Sequence, residues 1–358
     1  MSVAASRWLP KALWSPQSVL FPSNPQGYLL WASLLAVSIH DVRLEYAIAA
    51  GLLLLGDWTS LASLATVGVL QIAAGLSANP AFTVRSSVVW LAASCARVSI
   101  SLATVYVSAA VALLSLFARY TSAYRILWLI ASPYPDIWGP FESRNNFAQW
   151  IELVLPIALF HSRPKRWSVW FAAAILLASG VASGSRAGIL LITAELVFFM
   201  WSKRTPIKFT LALVIAIAAW SSLGRFRESM TSDVRPQIWR STIQAIGDHP
   251  WVGSGLGSFE MVYPRYAYFD TGERVEHAHN DYLEWAAEGG LVYATLLLSA
   301  VSAIAWKARK HPWAWGLIAV ALHALVDAPF HRFALLLWYS GIAIVLMRRS
   351  SVAGNYRM

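Results

Sequence analysis

Long apolar stretches alternate with short polar connections over most of this chain of 358 residues. The apolar stretches lie near residues 26–40, 42–56, 58–77, 84–118, 147–161, 167–183, 187–202, 207–222, 286–306, 312–327 and 332–348. Several are shorter than the roughly 20 residues that a perpendicular helix needs to cross the hydrocarbon core of a bilayer, and flanking aromatic residues and arginines or a thinner bilayer can make up the difference. With both termini on one side of the membrane the number of crossings is even. The pattern therefore predicts an all-α bundle of about ten to twelve transmembrane helices.

Three segments depart from this simple alternation. Residues 84–118 are long enough for one extended helix or two short ones, and residues 126–133 predict a partial span or an interfacial helix. Residues 223–283 are polar, and a stretch of about 60 residues is too long for an idle connection. We therefore expect three parts: a first transmembrane part over 1–222, a helical cap over 223–283, and a last transmembrane part over 284–358.

The cap carries its own helical pattern. Apolar residues recur at helical spacing at Ile238, Trp239, Ile243 and Ile246. The run ends at Asp248–Pro250, which predicts an amphipathic helix on the membrane surface. The glycine-rich run Gly253–Phe259 then predicts a tight turn that opens another short helix.

Composition and charge support the membrane interpretation. The chain is 58% hydrophobic and only 13% charged, a charged fraction about half that of soluble domains. Its net charge of +10 would suggest nucleic-acid binding in a soluble protein. Here the basic residues concentrate in alternate connections, at His161–Arg166, Trp201–Lys208, Lys307–His311 and the tail from Arg348. The positive-inside rule makes those connections cytoplasmic, where they meet anionic lipid, and nucleic acid is not an expected partner.

The candidate chemistry lies on the opposite face. Arg186 occupies a turn of small residues, and an arginine there can bind phosphate through two hydrogen bonds or simply extend to the interface. Arg235 begins the predicted cap helix, where it can bind an anion, pair with Asp233 or face solvent. His279 sits where the cap re-enters the membrane. Its imidazole can accept a proton from a hydroxyl group, or it can cap the next helix.

Other polar residues are secondary candidates. Arg144 and Asn145 can line a substrate cleft or form a turn. Asn280, Tyr282 and Glu288 can orient His279 or bind sugar hydroxyls, with helix capping as the alternative for Asn280. His323 and Asp327 are predicted on one helical face, where they can act in the site or hydrogen-bond between helices. Glu152 and Glu195 fall within apolar stretches and are expected to pair between helices.

An ordered set of short motifs carries a family resemblance. The motifs are Gly139–Ala148, Ser183–Gly188, Arg235 with Trp239, His249–Phe259, His277–Leu283 with Glu288–Gly290, and His323–Asp327. Together, from about residue 139 to 348, they resemble the bacterial O-antigen ligase and O-antigen polymerase family. No single motif is specific, and the first 130 residues add only hydrophobicity.

The resemblance implies a GT-C-like membrane glycosyltransferase in the bacterial inner membrane, with a periplasmic helical cap and its site facing the periplasm. Its donor would be a glycan linked to undecaprenyl diphosphate, in a membrane-lipid environment. Its acceptor would be a saccharide hydroxyl, on lipid A core or on a second lipid-linked glycan. By position, Arg186 and Arg235 look like the diphosphate-binding arginines and His279 like the base. The transfer would invert the anomeric centre.

No cofactor or metal is expected, since the chain contains no Asp-x-Asp and only one cysteine, Cys95. Positive neighbours are expected to keep His279 unprotonated. Two alternatives remain open from the sequence. One is a polysaccharide polymerase with the same donor chemistry. The other is a transporter for a small anion, which Arg97, Glu152 and Glu195 within apolar stretches would favour.

Overall fold

The computed structural model describes residues 100, 102–122, 125–131, 136–160, 167–203, 233–270, 272 and 274–355. The described elements, in order, are α1 (Leu102–Thr121), β1 (Arg125–Ile126), β2 (Ile130–Ala131), α2 (Arg144–Leu159), α3 (Trp167–Ala182), α4 (Arg186–Lys203), α5 (Arg235–Asp248), α6 (Phe259–Val262), a 3-10 turn (Tyr263–Arg265), α7 (Asp281–Ala308), α8 (Ala314–His323), a second 3-10 turn (Pro329–His331) and α9 (Phe333–Asn355). The predicted helices before residue 100 and at 207–222, the basic connection 161–166, and cap residues 223–232 lie outside the described residues.

The bundle is built around α2, which is buried on every face from Asn146 to Leu159. It packs against α1, α3, α4, α8 and α9. Small residues allow the close approach: a Cβ on Gly316 of α8 would lie 2.6 Å from the backbone oxygen of Glu152. Glycine at helix contacts is typical of membrane bundles, where van der Waals packing holds helices together.

Each predicted apolar stretch from residue 147 onward that the structure describes contains a helix, and the described residues are mostly helical, as predicted. Within them, α1 and α7 are long and apolar enough to cross a membrane, with 20 and 28 residues. The helices α3 and α8 and the part Phe333–Met347 of α9 are also apolar but shorter, at 10–17 residues. In the predicted stretch 84–118, α1 accounts for the part from Leu102.

The prediction of a helix or partial span at 126–133 is wrong. Residues 125–131 form a small antiparallel hairpin in which Ile126 pairs with Ile130. The turn residues Leu127 and Trp128 have positive φ angles of 45° and 66°. A helix this short is marginal without packing partners. The indole of Trp128 instead donates to the Thr121 hydroxyl at 2.9 Å, which attaches the hairpin to the end of α1.

The cap contains the two helices that the sequence predicts, α5 and α6, but α5 buries a different face. Its buried residues are Ile238, Ser241, Thr242 and Ala245, whereas Ile243 is 57% exposed. The reason is that α5 packs closely against α7, which favours small side chains at the contact. Its position on a membrane surface stays a prediction.

A kink divides α7 into two segments. Gly290 has φ 75° and ψ 173°, which are not helical angles. At the kink, backbone oxygens of the first segment lose the N–H donors that a continuous helix would provide. The glycine turn of the cap supplies N–H donors in their place. The backbone N–H of Ser254 donates to Ala287 at 2.9 Å, and that of Gly255 donates to Glu288 at 2.8 Å. The cap is therefore joined to α7 through backbone hydrogen bonds.

The ends of the helices define one polar end of the bundle. The starts of α2, α4, α7 and α9 lie there with the ends of α3 and α8, because consecutive packed helices run in opposite directions. Arg186 and the loop that contains His279 belong to this end. The basic connection Lys307–His311 follows the other end of α7, about 40 Å of helix away at 1.5 Å per residue. The predicted separation of basic connection and polar site is thus present along α7.

We expect Gly290→Ala to destabilise the protein by about 1–3 kcal/mol or more, because a side chain at positive φ is strained. The added Cβ would also meet the backbone oxygen of Trp251 at 2.2 Å. Thermal unfolding in detergent would measure the change. Gly247→Ala is the matched control, since no atom lies within 4 Å of its Cβ and alanine favours a helix. Equal melting temperatures for the two variants would contradict the prediction.

Candidate active site

His279 lies in the loop just before α7, in an unusual backbone conformation. Its φ is 50°, in the left-handed region that few residues other than glycine adopt. Such conformations persist only where the surroundings enforce them, and they cluster at functional sites. The side chain is 42% exposed, and its Nδ1 lies 3.2 Å from Oδ1 of Asp327. The imidazole is therefore held on one edge and open on the other.

Asp327 lies in the turn between α8 and the second 3-10 turn, and its carboxylate is buried. Oδ2 accepts a hydrogen bond from Gln149 at 3.1 Å, and Gln149 accepts one from Asn146 at 3.1 Å. Burial alone would raise the pKa of Asp327. The contact with His279 and the positive charges of Arg235 and His323 outweigh burial and hold this pKa well below its ordinary value.

The ionised state of Asp327 decides the tautomer of His279. An ionised carboxylate can only accept hydrogen bonds, so Nδ1 of the imidazole carries the hydrogen. Nε2 of the neutral ring is then left as a proton acceptor. The expectation that His279 has positive neighbours is wrong for the group in contact with it, which is a carboxylate.

Asp233 joins the two predicted anion-binding arginines. Its Oδ2 lies 2.6 Å from Nη2 of Arg186, and its Oδ1 accepts from the backbone N–H of Arg235 at 3.1 Å. Burial raises the pKa of Asp233, but these two hydrogen bonds and the arginine charges outweigh burial and lower it. Arg186, at the start of α4, is thereby connected to the start of α5.

The cap helix also touches the His279 loop. The indole of Trp239 donates to the backbone oxygen of Ala278 at 3.0 Å. Arg235 lies one turn earlier on the same helix, and its charge acts on Asp327. The structure therefore brings Arg186, Arg235 and His279 to one end of the bundle, linked through Asp233 and Asp327.

A second polar cluster lies behind the His279 loop. His277 Nδ1 and His331 Nε2 lie 2.8 Å and 3.3 Å from Oε1 of Glu284. The other ring nitrogen of His331 contacts Asp281. Burial would lower the pKa of His331, but the charges of Glu284 and Asp281 and the Asp281 hydrogen bond raise it to about 10. His331 is accordingly a buried cation near neutral pH.

Among the described residues, this cluster also contains the donor set that could hold a divalent metal. His277, Glu284 and His331 each offer one ligand atom, and these atoms lie within 4.8 Å of one another. Two imidazoles and a carboxylate are ligands that zinc accepts. The same atoms already contact each other as hydrogen-bonding partners. The sequence analysis missed this set because the three residues are separated along the chain.

The middle of the chain is similar to known proteins. Residues 171–298 match the family model described as O-antigen ligase. Over 139 residues the chain is 29% identical to an O-antigen ligase of Pseudomonas aeruginosa strain PAO1, a match that covers 37% of this chain. The resemblance to the O-antigen ligase and O-antigen polymerase family is confirmed. The match spans 33%, about a third, of the length of that relative.

The O-antigen ligase match contains Arg186, Arg235 and His279, the three residues on which the sequence-based site rests. It also contains Asp233 and Glu284. Asp327 and Gln149 lie outside residues 171–298, so their place beside His279 comes from the structure alone.

Two secondary candidates, Arg144 and Asn145, lie in the first turn of α2. Arg144 is the first residue of α2, and its Nε lies 3.2 Å from Oδ2 of Asp136. Asn145 follows it, half-buried, in the first turn of that helix. Arg332 donates to Glu142 at 2.9 Å. These contacts fix the connection before α2, and a role of Arg144 and Asn145 in a substrate cleft stays a prediction.

The three candidates around the start of α7 support the fold. Asn280 caps α7, accepting from the backbone N–H groups of Tyr282 and Leu283 at 3.1 Å, so the capping alternative is confirmed. The Tyr282 hydroxyl donates to Ala321 at 2.7 Å. Glu288 accepts from the backbone N–H of Phe259 at 2.9 Å and so anchors the cap.

The prediction that His323 and Asp327 share a helical face is wrong, because α8 ends at His323 and Asp327 lies in the following turn. His323 instead lies 2.7 Å from Glu152 of α2, the pairing between helices that the sequence left open. No described residue hydrogen-bonds the buried carboxylate of Glu195, so its predicted partner is not found among them.

The sequence did not point to Gln149, nor to the pairing of Asp233 with Arg186. Gln149 could have been found by the argument applied to Glu152, since both are polar residues in an apolar stretch. Asp233 was considered only as a partner for the Arg235 side chain, whereas its carboxylate pairs with Arg186, 47 positions earlier.

Trp239→Phe should loosen the His279 loop, because it leaves the buried backbone oxygen of Ala278 without its donor, at a cost of about 1–3 kcal/mol. Hydrogen exchange of the peptide 275–280, followed by mass spectrometry, should quicken. Trp251→Phe is the control, since that side chain is 69% exposed on the cap. Unchanged exchange in Trp239→Phe would show that α5 does not hold this loop.

Proposed function

We propose that this protein is a glycosyltransferase of the O-antigen ligase type. It transfers a glycan from undecaprenyl diphosphate to a saccharide hydroxyl at the periplasmic face of the bacterial inner membrane. The observation that carries the proposal is the contact between His279 and the ionised Asp327, beside two arginines that Asp233 links. The arrangement offers a base and positive charge at one end of an apolar bundle.

His279 acts as the base. The acceptor hydroxyl attacks the anomeric carbon of the donor sugar, and its proton passes to Nε2 of His279 as the new carbon–oxygen bond forms. Asp327 accepts from Nδ1–H, fixes the ring orientation and stabilises the imidazolium that results. Gln149 holds the carboxylate from the other side. The exposed edge of the ring gives the acceptor access to Nε2.

Arg186 and Arg235 stabilise the leaving group. The bond between the anomeric carbon and the phosphate oxygen breaks, and the diphosphate leaves with the electron pair. A guanidinium matches phosphate oxygens with two parallel hydrogen bonds and stays charged at all relevant pH values. Attack from the side opposite the diphosphate inverts the anomeric centre. The arginines supply the positive charge that this departure requires, so we expect transfer without an added metal.

The acceptor we favour is the lipid A core, because the curated relative is named an O-antigen ligase. A polymerase would use the same donor chemistry with a second lipid-linked glycan as acceptor. A lipopolysaccharide gel from cells that depend on this chain distinguishes the two. Loss of every attached chain in the absence of the protein supports a ligase, whereas attachment of single units indicates a polymerase. An unchanged gel would overturn the proposal.

We expect His279→Ala to lower kcat about 100- to 10,000-fold, as loss of a general base does. Asp327→Asn should lower it on the order of 100-fold or more, because an amide can donate to Nδ1 and leave the wrong tautomer. Transfer from a defined undecaprenyl-diphosphate glycan in detergent would measure both rates. Near-normal transfer by His279→Ala, with normal expression, would remove His279 from this role.

Arg186→Lys tests the diphosphate contact. Lysine keeps the charge but not the paired hydrogen bonds, which are worth about 1.5–3 kcal/mol each with a charged partner. We expect weaker donor binding and a kcat/KM lower by roughly 10- to 100-fold. The control is Arg240→Lys, at an exposed position of α5 where the arginine lies over the Tyr268 ring. Arg240→Lys should leave the donor KM and kcat unchanged. If Arg186→Lys also leaves them unchanged, Arg186 does not bind the diphosphate.

A further inference from the structure

We propose that Glu284 is a positioning residue, which holds the His279 loop so that the imidazole faces Asp327. The structural part of this inference stands on the contacts of Glu284 alone. Its consequence for catalysis rests on the proposed function.

Glu284 contacts both of the residues that precede His279. It lies in the first turn of α7 and is almost fully buried. Its Oε2 accepts from the backbone N–H of Ala278 at 2.8 Å, and its Oε1 lies 2.8 Å from Nδ1 of His277. His279 itself sits at a φ of 50°, a conformation that costs roughly 1–3 kcal/mol where nothing enforces it. Without these contacts the loop would relax toward ordinary angles and turn the ring away.

The same turn of α7 also sets the position of Asp327. The backbone N–H of Asp281 donates to the backbone oxygens of Ala324 and Asp327, at 3.0 Å and 3.3 Å. The Asp281 carboxylate accepts from the backbone N–H of Phe330 at 2.9 Å. His331 then bridges Asp281 and Glu284. Both partners of the His279–Asp327 contact are therefore located relative to one helical turn.

Burial restricts the movement of the carboxylates and imidazoles around Glu284. Two carboxylates and two imidazoles face one another in a region from which water is largely excluded, and removal of one leaves the others poorly compensated. Glu284 differs from a merely stabilising residue because its carboxylate oxygens contact the two residues directly before His279, the proposed base. A displacement of about 1 Å at a catalytic group can lower the rate about 100-fold.

The test compares Glu284→Gln with Glu288→Gln. Glu288 lies one turn later on α7, is equally buried and also accepts from a backbone N–H, but on the cap at Phe259. The first readout is transfer, where we expect Glu284→Gln to lower kcat about 10- to 100-fold with little change in the donor KM. The second readout needs no substrate. It is the rate at which diethyl pyrocarbonate modifies His279, mapped by peptide mass spectrometry with exposed His249 as internal reference.

In Glu284→Gln, modification of His279 should quicken several-fold, because the ring leaves the Asp327 carboxylate. In Glu288→Gln, the melting temperature should fall while modification of His279 stays as in the unsubstituted protein. Equal modification rates in all three proteins would overturn the inference. So would one bound zinc per chain that is lost in Glu284→Gln, because the cluster would then be a metal centre.

The two readouts keep this inference apart from the proposed function. If the unsubstituted protein shows no transfer but His279 modification still depends on Glu284, the proposed function fails and the positioning stands. If transfer occurs and Glu284→Gln matches the unsubstituted protein in both readouts, the positioning fails alone.

Discussion

Three carboxylates on one face of α7 join the bundle, the His279 loop and the cap. Asp281, Glu284 and Glu288 follow the spacing i, i+3 and i+7, which places them on the same side of the helix. Each accepts a backbone N–H from a different segment: the turn before α9, the loop before α7, and the start of α6 in the cap. Such donors matter because burying an ionised carboxylate without them is expensive. The bundle, the loop and the cap consequently meet at one helical face.

This constraint explains why the polar site forms at one end of an apolar bundle. The kink at Gly290 separates the carboxylate-bearing first segment of α7 from the apolar second segment. The first segment is covered by polar loops, whereas the second resembles the lipid-facing helices of membrane proteins, with many exposed apolar side chains. Chemistry that needs charge and a base can then lie beside a region suited to a lipid chain.

The residue types of the site were largely predictable. Side-chain chemistry makes Arg186 and Arg235 candidates for anion binding and His279 a candidate for proton transfer, with structural roles as alternatives. Only the family resemblance implies their specific roles. Their partners were harder to find. Asp327 was predicted to share a helical face with His323, but α8 stops at His323 and Asp327 faces His279 instead. A change in where a helix ends redirects every side chain beyond it.

The sequence by itself determined the helical character of the described residues, the separation of the Lys307–His311 connection from the candidate site residues along α7, and the glycine turn of the cap. These features depend on local composition and spacing, which are readable along the chain. Only the tertiary structure decided the hairpin at 125–131 and the partners of His279 and Arg186. Those pairings join residues 47 and 48 positions apart. No local preference specifies them, because they arise when buried charges compete for the few donors and acceptors that packing brings within reach.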